Sequence, residues 1–311
     1  MNLEGKEILV TGGNGFLGRH VCDELERKKA KVWFIRSEEF DLRLLSETKK
    51  IFNEFTRIHA IIHLAANVGG IGYNQKHPYS IYYDNLIMGT NLIDQSIKHG
   101  IEKFVQVGTV CSYPKFTTTP FKEIDLWDGY PEETNAPYGI AKKALLAQLQ
   151  AARQEFGFNG IYIIPTNLYG PGDEFEPNRS HVIPALIKKF YTAKLENIPE
   201  VEVWGSGSAS REFLYVKDAA KAIVGLTEKF DNHYPINIGT NHEVRIVLLV
   251  DYIKRLIGYE GHIKWNTAKP DGQPKRRVSN SRMKDILDWV PDVDLMTGLK
   301  ETIKYYEGTL I

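Results

Sequence analysis

Tyr138 and Lys142 stand four residues apart in a segment, 138–156, whose apolar pattern predicts a helix. Their side chains therefore lie on one helix face, one turn apart. An ammonium group near a phenol stabilises the phenolate, which lowers the tyrosine pKa toward the range of a working acid or base. Thr109 follows the predicted strand 103–107 and adds a hydroxyl that can bind the same carbonyl oxygen. For the pair alone, the alternative is a surface tyrosine packed on a lysine stem.

A glycine-rich turn at 10–18 lies between the predicted strand 7–10 and the predicted helix 15–28. Its glycines satisfy G-x-G-x-x-G, a spacing that permits a tight turn and a close approach of the backbone to a pyrophosphate at the helix N-terminus. An ordinary strand–helix turn is the alternative, but the strand–helix–strand repeat around it favours a dinucleotide site. The residues assigned to this site in the turn are Gly12, Gly13, Asn14, Gly15, Phe16, Leu17 and Gly18.

The end of the second predicted strand, 31–35, indicates which dinucleotide is bound. An acid there usually binds the ribose 2′-hydroxyl of NAD, whereas an arginine accommodates the 2′-phosphate of NADP. Arg36 comes directly after this strand, and the acids, among them Asp41, come later. Arg36 therefore favours NADP. A solvated surface arginine beside Glu38 and Glu39 is the alternative.

Short apolar strands alternate with longer amphipathic helices through the first half of the chain. The predicted strands are 7–10, 31–35, 60–64, 103–107 and 161–164, and the predicted helices are 15–28, 44–55, 81–98 and 138–156. Continuous apolar strands with helices between them are typical of a parallel sheet covered on both faces. We predict an α/β fold, a Rossmann-like doubly wound parallel sheet with a smaller, mixed C-terminal substrate domain.

The alternation breaks after Pro165, where prolines punctuate a stretch rich in loops. We therefore assign 1–165 to an NADP-binding Rossmann domain, which 213–240 rejoins. Residues 166–311 are assigned mainly to the substrate domain.

Composition excludes several classes of protein. Lys and Arg number 39 and so do Asp and Glu, which argues against nucleic acid as the main ligand. No apolar run is long enough to span a membrane. Two cysteines, Cys22 and Cys111, make no disulfide framework, so a reduced cytoplasmic protein is expected. No metal-ligand motif is present, and we expect no metal.

Taken together, these motifs resemble those of the extended short-chain dehydrogenase/reductases, and most closely those of the GDP-L-fucose synthase family. The similarity extends over nearly the whole chain and includes Tyr138 and Lys142. It rests on the segments 11–18, 64–71, 111–115, 165–171, 180–186, 204–207, 211–213 and 269–272.

The resemblance implies an NADPH-dependent enzyme that converts GDP-4-keto-6-deoxy-D-mannose to GDP-L-fucose, by epimerisation at C3 and C5 and then reduction at C4. It implies that Cys111 and His181 exchange protons on opposite faces of the sugar, a task that suits groups titrating near neutrality. For these two residues, a small buried hydrophobe and a structural imidazole are the alternatives. It also implies a homodimer packed through the helices at about 84–98 and 138–156.

The resemblance implies further binding residues. Besides the glycine-rich turn, the cofactor-binding residues are Arg36, Asp41, Leu42, Leu64, Ala65, Ala66, Val107, Gly108, Tyr138, Lys142, Pro165, Asn167, Leu168 and His181. The residues expected to bind the GDP-sugar substrate are Asn167, Val182, Lys189, Trp204, Arg211, Asp271, Lys275 and Arg276. For the basic members of the second set, a solvated face is the alternative.

Some positions depart from the family pattern. Asn14 stands where some members carry an arginine, Thr109 where serine is commoner, Val110 in place of a second small hydroxyl, and Ser112 where an apolar residue is frequent. These departures leave room for an epimerase or a C4-reductase of another GDP-4-keto-sugar, such as a 6-deoxyheptose. A third possibility, of a different class, is a catalytically silent, redox-sensing dinucleotide binder.

Overall fold

The computed structural model describes residues 1–176, 179–269 and 271–310, so Pro270 of the 269–272 motif lies outside the described residues. The strands are β1 (Glu7–Thr11), β2 (Lys31–Ile35), β3 (Ala60–His63), β4 (Lys103–Val107), β5 (Gly160–Pro165), β6 (Asn167–Tyr169), β7 (Glu200–Trp204), β8 (Ser210–Tyr215), β9 (Ile236–Ile238), β10 (Glu243–Arg245), β11 (His262–Asn266) and β12 (Lys275–Arg276).

The helices follow the same alternation in the first half. They are α1 (Phe16–Arg27), α2 (Leu45–Glu54), α3 (Ile71–Lys76), α4 (Pro78–Lys98), α5 (Ala136–Phe156), α6 (Val182–Leu195), α7 (Val216–Lys229), α8 (Ile246–Ile257), α9 (Ser281–Leu287) and α10 (Leu295–Gly308). In the described part of the chain, no helix is both long and apolar enough to cross a membrane.

Six parallel strands form the main sheet in the order β2, β1, β3, β4, β5, β9. Alternate side chains of the buried strands point to opposite faces. On β1, Leu9 belongs to the core that α2, α4 and α5 cover, whereas Ile8 and Val10 belong to the core on the side of α1 and α7. Both faces are therefore buried, and the predicted doubly wound α/β fold is confirmed.

The chain leaves β1 toward β2 on one side and returns to β3 on the other, so a crevice opens between β1 and β3 at the carboxyl ends of the strands. The turn after β1 and the segment after β3 meet at this crevice. A Cβ at Gly12, whose φ is +71°, would lie 2.9 Å from the backbone nitrogen of Ala65.

The C-terminal half contributes smaller sheets around a third apolar core. β8 pairs with β10, β12 and β6, and β7 pairs with β11. In the segment predicted to rejoin the first domain, β8 lies in a smaller sheet, whereas α7 packs on α1 and β9 extends the main sheet. The division into 1–165 and 166–311 stays a prediction.

One buried carboxylate joins the smaller sheet of β8 and β12 to the end of β9 in the main sheet. The Glu212 side chain, on β8, accepts N–H hydrogen bonds from Thr240 and Asn241, after β9, and from Val278, after β12, at 2.5, 2.6 and 2.7 Å. The Glu212 carbonyl accepts a bond from the amide of Asn167 at 2.7 Å. Burial raises the pKa of Glu212.

Candidate active site

The glycine-rich turn has little room for side chains except at one position. A Cβ at Gly18 would overlap the Gly12 carbonyl, and one at Gly13 would meet the Phe34 side chain at 2.5 Å. A Cβ at Gly15 would meet only the Gly12 oxygen, at 3.1 Å, and otherwise faces open space. The turn is therefore packed from behind and open at Gly15, which is what a closely approaching phosphate requires.

The N-terminus of α1 begins at this open face. Gly15 is its N-cap, and no side chain caps the first turn. The first N–H groups of a helix have no partners within the helix and bind anions well. Arg19 was missed by the sequence analysis, and its guanidinium contacts the carbonyl oxygens of Asn14 and Gly15 at 3.3 and 3.4 Å. A pyrophosphate fits this geometry.

The segment after β2 carries Arg36, whose side chain is exposed and whose carbonyl accepts the N–H groups of Glu39 and Phe40 in a turn. The carboxylate of Asp41 is bonded to Arg43 at 2.7 and 2.9 Å, and this pairing lowers the Asp41 pKa. Leu42 is buried beside them. Arg43 is a second arginine in the segment after β2, and the sequence analysis did not assign it to the site.

The ends of β1 and β3 are tied together by Thr11. Its hydroxyl lies 2.7 Å from Nδ1 of the buried His63 and accepts the backbone N–H of Ala65 at 3.2 Å. Leu64, Ala65 and Ala66, the predicted cofactor residues of this segment, are half-buried beside the crevice.

A 3₁₀ turn, Val110–Ser112, follows β4 and carries Cys111. Thr109 caps this turn, because its Oγ1 accepts the backbone N–H of Cys111 at 3.2 Å. The Thr109 hydroxyl hydrogen remains able to donate elsewhere. A Cβ at Gly108 would overlap the ring of Tyr162, so this tyrosine fixes the end of β4.

Tyr138 and Lys142 lie on the first turns of α5, as predicted, with the Lys142 Nζ 5.9 Å from the centroid of the phenol ring. Burial lowers the pKa of Lys142 to about 8. Burial and the neighbouring Cys111 raise the pKa of Tyr138. The predicted direction for Tyr138 was therefore wrong, because desolvation of the phenolate outweighs the lysine at this separation.

The helix that carries Tyr138 sits directly on the turn that carries Cys111. Ser112 is fully buried and donates from Oγ to the Gly139 carbonyl at 2.9 Å. A Cβ at Gly139 would overlap the carbonyl of Cys111. The two candidate proton-transfer groups are therefore held together by a contact between backbones.

Arg276 is the cation next to Cys111. Its Nη1 donates to the Cys111 Sγ at 3.5 Å, and its Nε donates to Oε1 of Gln273 at 3.2 Å. His181 precedes α6. Burial and, to a smaller extent, the positive charge of Arg276 lower the pKa of His181, although more than a third of this residue's surface is exposed. Arg276, predicted as a ligand of the substrate, is buried instead, whereas Lys275 beside it is exposed.

A second group of predicted substrate residues surrounds Trp204, which is 48% exposed. The ammonium groups of Lys189 and Lys269 lie 5.9 and 4.8 Å from its ring centroid. Lys189 also donates to the Glu202 carbonyl at 3.0 Å. Lys269 belongs to a recognised motif but was not assigned to the site. An exposed aromatic face flanked by two cations suits a nucleobase joined to a diphosphate.

Arg211 and Asp271 connect this group to the rest of the site. Arg211 donates to the carbonyl oxygens of Ser210 and Asp271 at 2.7 and 3.0 Å. The Asp271 carboxylate accepts the backbone N–H and the hydroxyl of Ser206, both at 2.8 Å. Burial and the nearby Arg276 lower the pKa of Arg211. The remaining predicted residues, Val107, Pro165, Asn167, Leu168 and Val182, lie at the ends of β4 and β5, on β6 and at the start of α6.

The site thus combines two features: a turn after β1 that can bind a dinucleotide, and groups after β4 and on α5 that can transfer protons. Within the described ranges, no cluster of three or more His, Cys, Asp or Glu side chains is arranged to hold a metal ion.

Comparisons with known proteins identify the family. A model described as the NAD dependent epimerase/dehydratase family matches residues 8–239. A GDP-L-fucose synthase from Sinorhizobium fredii is 38% identical over 304 residues, which cover 98% of this chain and 96% of that protein. A solved GDP-6-OMe-4-keto-L-xylo-heptose reductase from C. jejuni superposes with a TM-score of 0.92 at 25% identity, with 98% of each chain covered.

A GDP-L-fucose synthetase from Naegleria fowleri, bound to NADP, superposes with a TM-score of 0.88 at 28% identity over 99% of this chain and 95% of that chain. Similarity over almost the full length excludes a match limited to the dinucleotide fold. The chain belongs to the NAD dependent epimerase/dehydratase family and, within it, to the family of the GDP-L-fucose synthases.

Proposed function

We propose that the protein is an NADPH-dependent epimerase-reductase that converts GDP-4-keto-6-deoxy-D-mannose to GDP-L-fucose, by epimerisation at C3 and C5 followed by reduction at C4. The observation that carries the proposal is the juxtaposition of Cys111 and Tyr138 across the Ser112–Gly139 contact. A sugar bound there would have Cys111 to remove a proton from carbon and Tyr138 to protonate an oxygen. The relative from S. fredii supports the same activity.

The cofactor is proposed to be NADP. The open face at Gly15 and the uncapped N-terminus of α1 fit its pyrophosphate. Arg36 and Arg43 would hold the 2′-phosphate, and Leu64, Ala65 and Ala66 would line the adjoining wall. The NADP-bound relative from N. fowleri supports this choice over NAD. When bound, NADPH supplies the hydride for reduction at C4.

For epimerisation, we assign the base to Cys111 and the acid to His181. The thiolate takes the proton next to the ketone and becomes a thiol, while the C–H electron pair enters the enolate. The His181 imidazolium then gives its proton to the opposite face of that carbon. Before the second carbon reacts, the Cys111 thiol releases its proton to water and the His181 imidazole takes a proton from water. The Thr109 hydroxyl donates to the carbonyl oxygen and stabilises the charge that develops there.

For reduction, Tyr138 gives its proton to the C4 oxygen as that atom becomes an alkoxide. The raised pKa of Tyr138 keeps the phenol protonated and ready to donate. Lys142 is placed to orient the cofactor ribose and to stabilise the phenolate left behind. Substrate is held by Arg211, Lys189 and Lys269 at the diphosphate, with Trp204 against the base.

A second candidate is an epimerase or a C4-reductase acting on another GDP-4-keto-sugar, such as a 6-deoxyheptose. One observation favours it: the 0.92 superposition on the heptose reductase. A third candidate is a catalytically silent redox sensor. The grouping of Thr109, Cys111 and Tyr138 argues against it, because a sensor does not need all three residues together.

One experiment separates the three candidates. The protein is incubated with NADPH and GDP-4-keto-6-deoxymannose, or with the corresponding 6-deoxyheptose, and the products are identified by NMR. Formation of GDP-L-fucose is expected. Faster turnover of the heptose selects the second candidate, and absence of NADPH oxidation with either sugar selects the third. NADH assayed in parallel measures the preference for NADP.

We also propose a cytoplasmic homodimer in which 1–165 binds NADP and 166–311 binds the GDP-sugar. Helices α4 and α5 pack side by side over one face of the main sheet and form the proposed dimer surface. Sedimentation is expected to give twice the mass of the chain, and a monomer at all concentrations refutes the dimer.

A further inference from the structure

Arg276 has an unusual position for an arginine expected to bind phosphate. Only 7% of its surface is exposed. It lies on the two-residue strand β12, in parallel register with Arg211 of β8. In the described part of the chain, its side-chain hydrogen bonds go to Gln273 and to the Cys111 sulfur, and neither partner is a carboxylate. A buried cation needs a countercharge, and the group placed to supply one is the thiolate of Cys111.

A relay of buried hydrogen bonds fixes the guanidinium in place. Gln273 is 4% exposed and accepts from the Nε of Arg276 at 3.2 Å. Its own amide donates to the carbonyl oxygens of Pro114 and Lys115 at 3.3 and 3.0 Å. These two residues follow directly after the turn that carries Cys111. The same segment therefore positions both the thiol and, through Gln273, the cation beside it.

We propose that Arg276 is a positioning residue that keeps Cys111 in the thiolate form and aims it at the substrate, rather than a ligand of the GDP diphosphate. The inference rests on the proposed epimerisation by Cys111 and His181. A guanidinium 3.5 Å from sulfur favours the negative form of the thiol through charge and hydrogen bonding. The same cation disfavours charge on the His181 imidazole, which makes its imidazolium a stronger acid.

The titratable groups around Cys111 carry both signs of charge. Arg211 on β8 lies near the thiol and adds positive charge, and the carboxylates of Asp271 and Glu132 lie near Arg211 and offset part of that charge. Tyr138 on α5 faces it as a neutral phenol, because its pKa is raised. His181, before α6, adds no negative charge in either of its forms. Arg276 is the cation that contacts the sulfur directly, at 3.5 Å.

The test measures the titration of the thiol without any sugar nucleotide. In a Cys22→Ser background Cys111 is the only cysteine, so alkylation by iodoacetamide, a neutral reagent, reports its thiolate fraction. Rates are measured by mass spectrometry across a pH series. Arg276→Met is expected to raise the pH midpoint and to slow alkylation at neutral pH by about tenfold for each unit of the rise. Arg276→Lys, which keeps the charge, is expected to stay near the parent.

Lys284→Met removes an exposed positive charge on α9 and serves as the matched control, with no change expected. An unchanged midpoint in Arg276→Met overturns the proposal, as does an equal shift in Arg276→Lys. If Arg276→Met does not fold, Gln273→Met is used instead. This change removes the bond that holds the Arg276 guanidinium beside Cys111, so it is also expected to raise the pH midpoint of alkylation. Since no sugar is present, a failure of the proposed enzymatic function leaves this result standing.

Discussion

The Oγ of Ser112 donates a hydrogen bond to the carbonyl of Gly139 at 2.9 Å, inside a contact with no room for a side chain at position 139. This bond joins the residue after Cys111 to the residue after Tyr138. Two proton-transfer groups that lie 27 positions apart in the sequence are thereby held in one geometry.

Ser112→Ala removes this bond and is expected to lower the free energy of unfolding by about 1 kcal/mol, as for other buried hydroxyls. It is also expected to lower kcat, because Cys111 and Tyr138 lose their fixed spacing. The measurements are urea unfolding and steady-state kinetics. Ser96→Ala is the matched control, since Ser96 is also buried and bonds a helix carbonyl, that of Leu92. If both variants lose stability and both keep normal kcat, Ser112 is merely structural.

Tyr138→Phe is expected to reduce NADPH oxidation by on the order of 10²–10⁴-fold, the contribution of a positioned acid. NADPH binding, followed by fluorescence titration, is expected to persist, because the ring still fills its place. Tyr79→Phe, at a residue 75% exposed, is the control. Near-normal oxidation in Tyr138→Phe rules the phenol out as the acid.

Cys111→Ser is expected to suppress incorporation of solvent deuterium at C3 and C5, while hydride transfer to C4 survives in part. A serine hydroxyl is too weak an acid to supply the base, whereas Tyr138 is untouched. Deuterium is read by NMR of the product, with Cys22→Ser as the control. Labelling of both carbons at the parent rate contradicts the assignment of Cys111.

Two glycines of the same turn are expected to respond differently to alanine. Gly18→Ala forces a Cβ into the Gly12 carbonyl and is expected to destabilise the fold. Gly15→Ala meets only that oxygen at 3.1 Å, so the fold is expected to persist while the Kd for NADPH rises by about tenfold or more. Thermal unfolding and fluorescence titration distinguish the two effects. Equal Kd values for Gly15→Ala and the parent place the pyrophosphate elsewhere.

The lowered pKa of Lys142 predicts that the free energy of unfolding depends on pH. Its pKa is about 8 in the folded chain against 10.5 for a free lysine, so between these values the unfolded chain binds the extra proton and stability rises with pH. Lys142→Met removes a buried cation and is expected to gain on the order of 2–3 kcal/mol at neutral pH. The gain is expected to vanish as pH rises from about 8 to 10.5. Urea unfolding at several pH values measures it, and a gain independent of pH refutes the shift.

The sequence predicted those parts of the structure that depend on local pattern. The strands from β1 to β5 and the glycine-rich turn followed from apolar runs and from spacing, because each is decided within a few residues. The 3₁₀ turn at Cys111 was not predicted, since it depends on a cap by Thr109 and on contact with a helix start far along the chain.

Long-range packing explains what the sequence could not show about the site. Lys275 and Arg276 were predicted to bind the substrate, but the pairing of β12 with β8 and the bond to Gln273 place Arg276 against Cys111. The pKa of Tyr138 was predicted in the wrong direction, because burial is not visible in the i, i+4 spacing. Lys269 lies far along the chain from Lys189, and only the fold brings both to Trp204.

The carboxylate of Glu212 has a practical consequence for building chimeric enzymes from this family. Its partners come from the loop after β9, in the main sheet, and from the residue after β12, in the smaller sheet, so one carboxylate ties the two sheets together. A chimera in which the whole of 166–311 comes from one parent keeps Glu212 together with its hydrogen-bond donors. A crossover placed between Glu212 and Thr240 instead combines an acid from one parent with backbone N–H groups from another, and a loop with a different backbone path leaves the buried acid with fewer donors. Crossover points for exchanging sugar specificity are therefore best placed before β6.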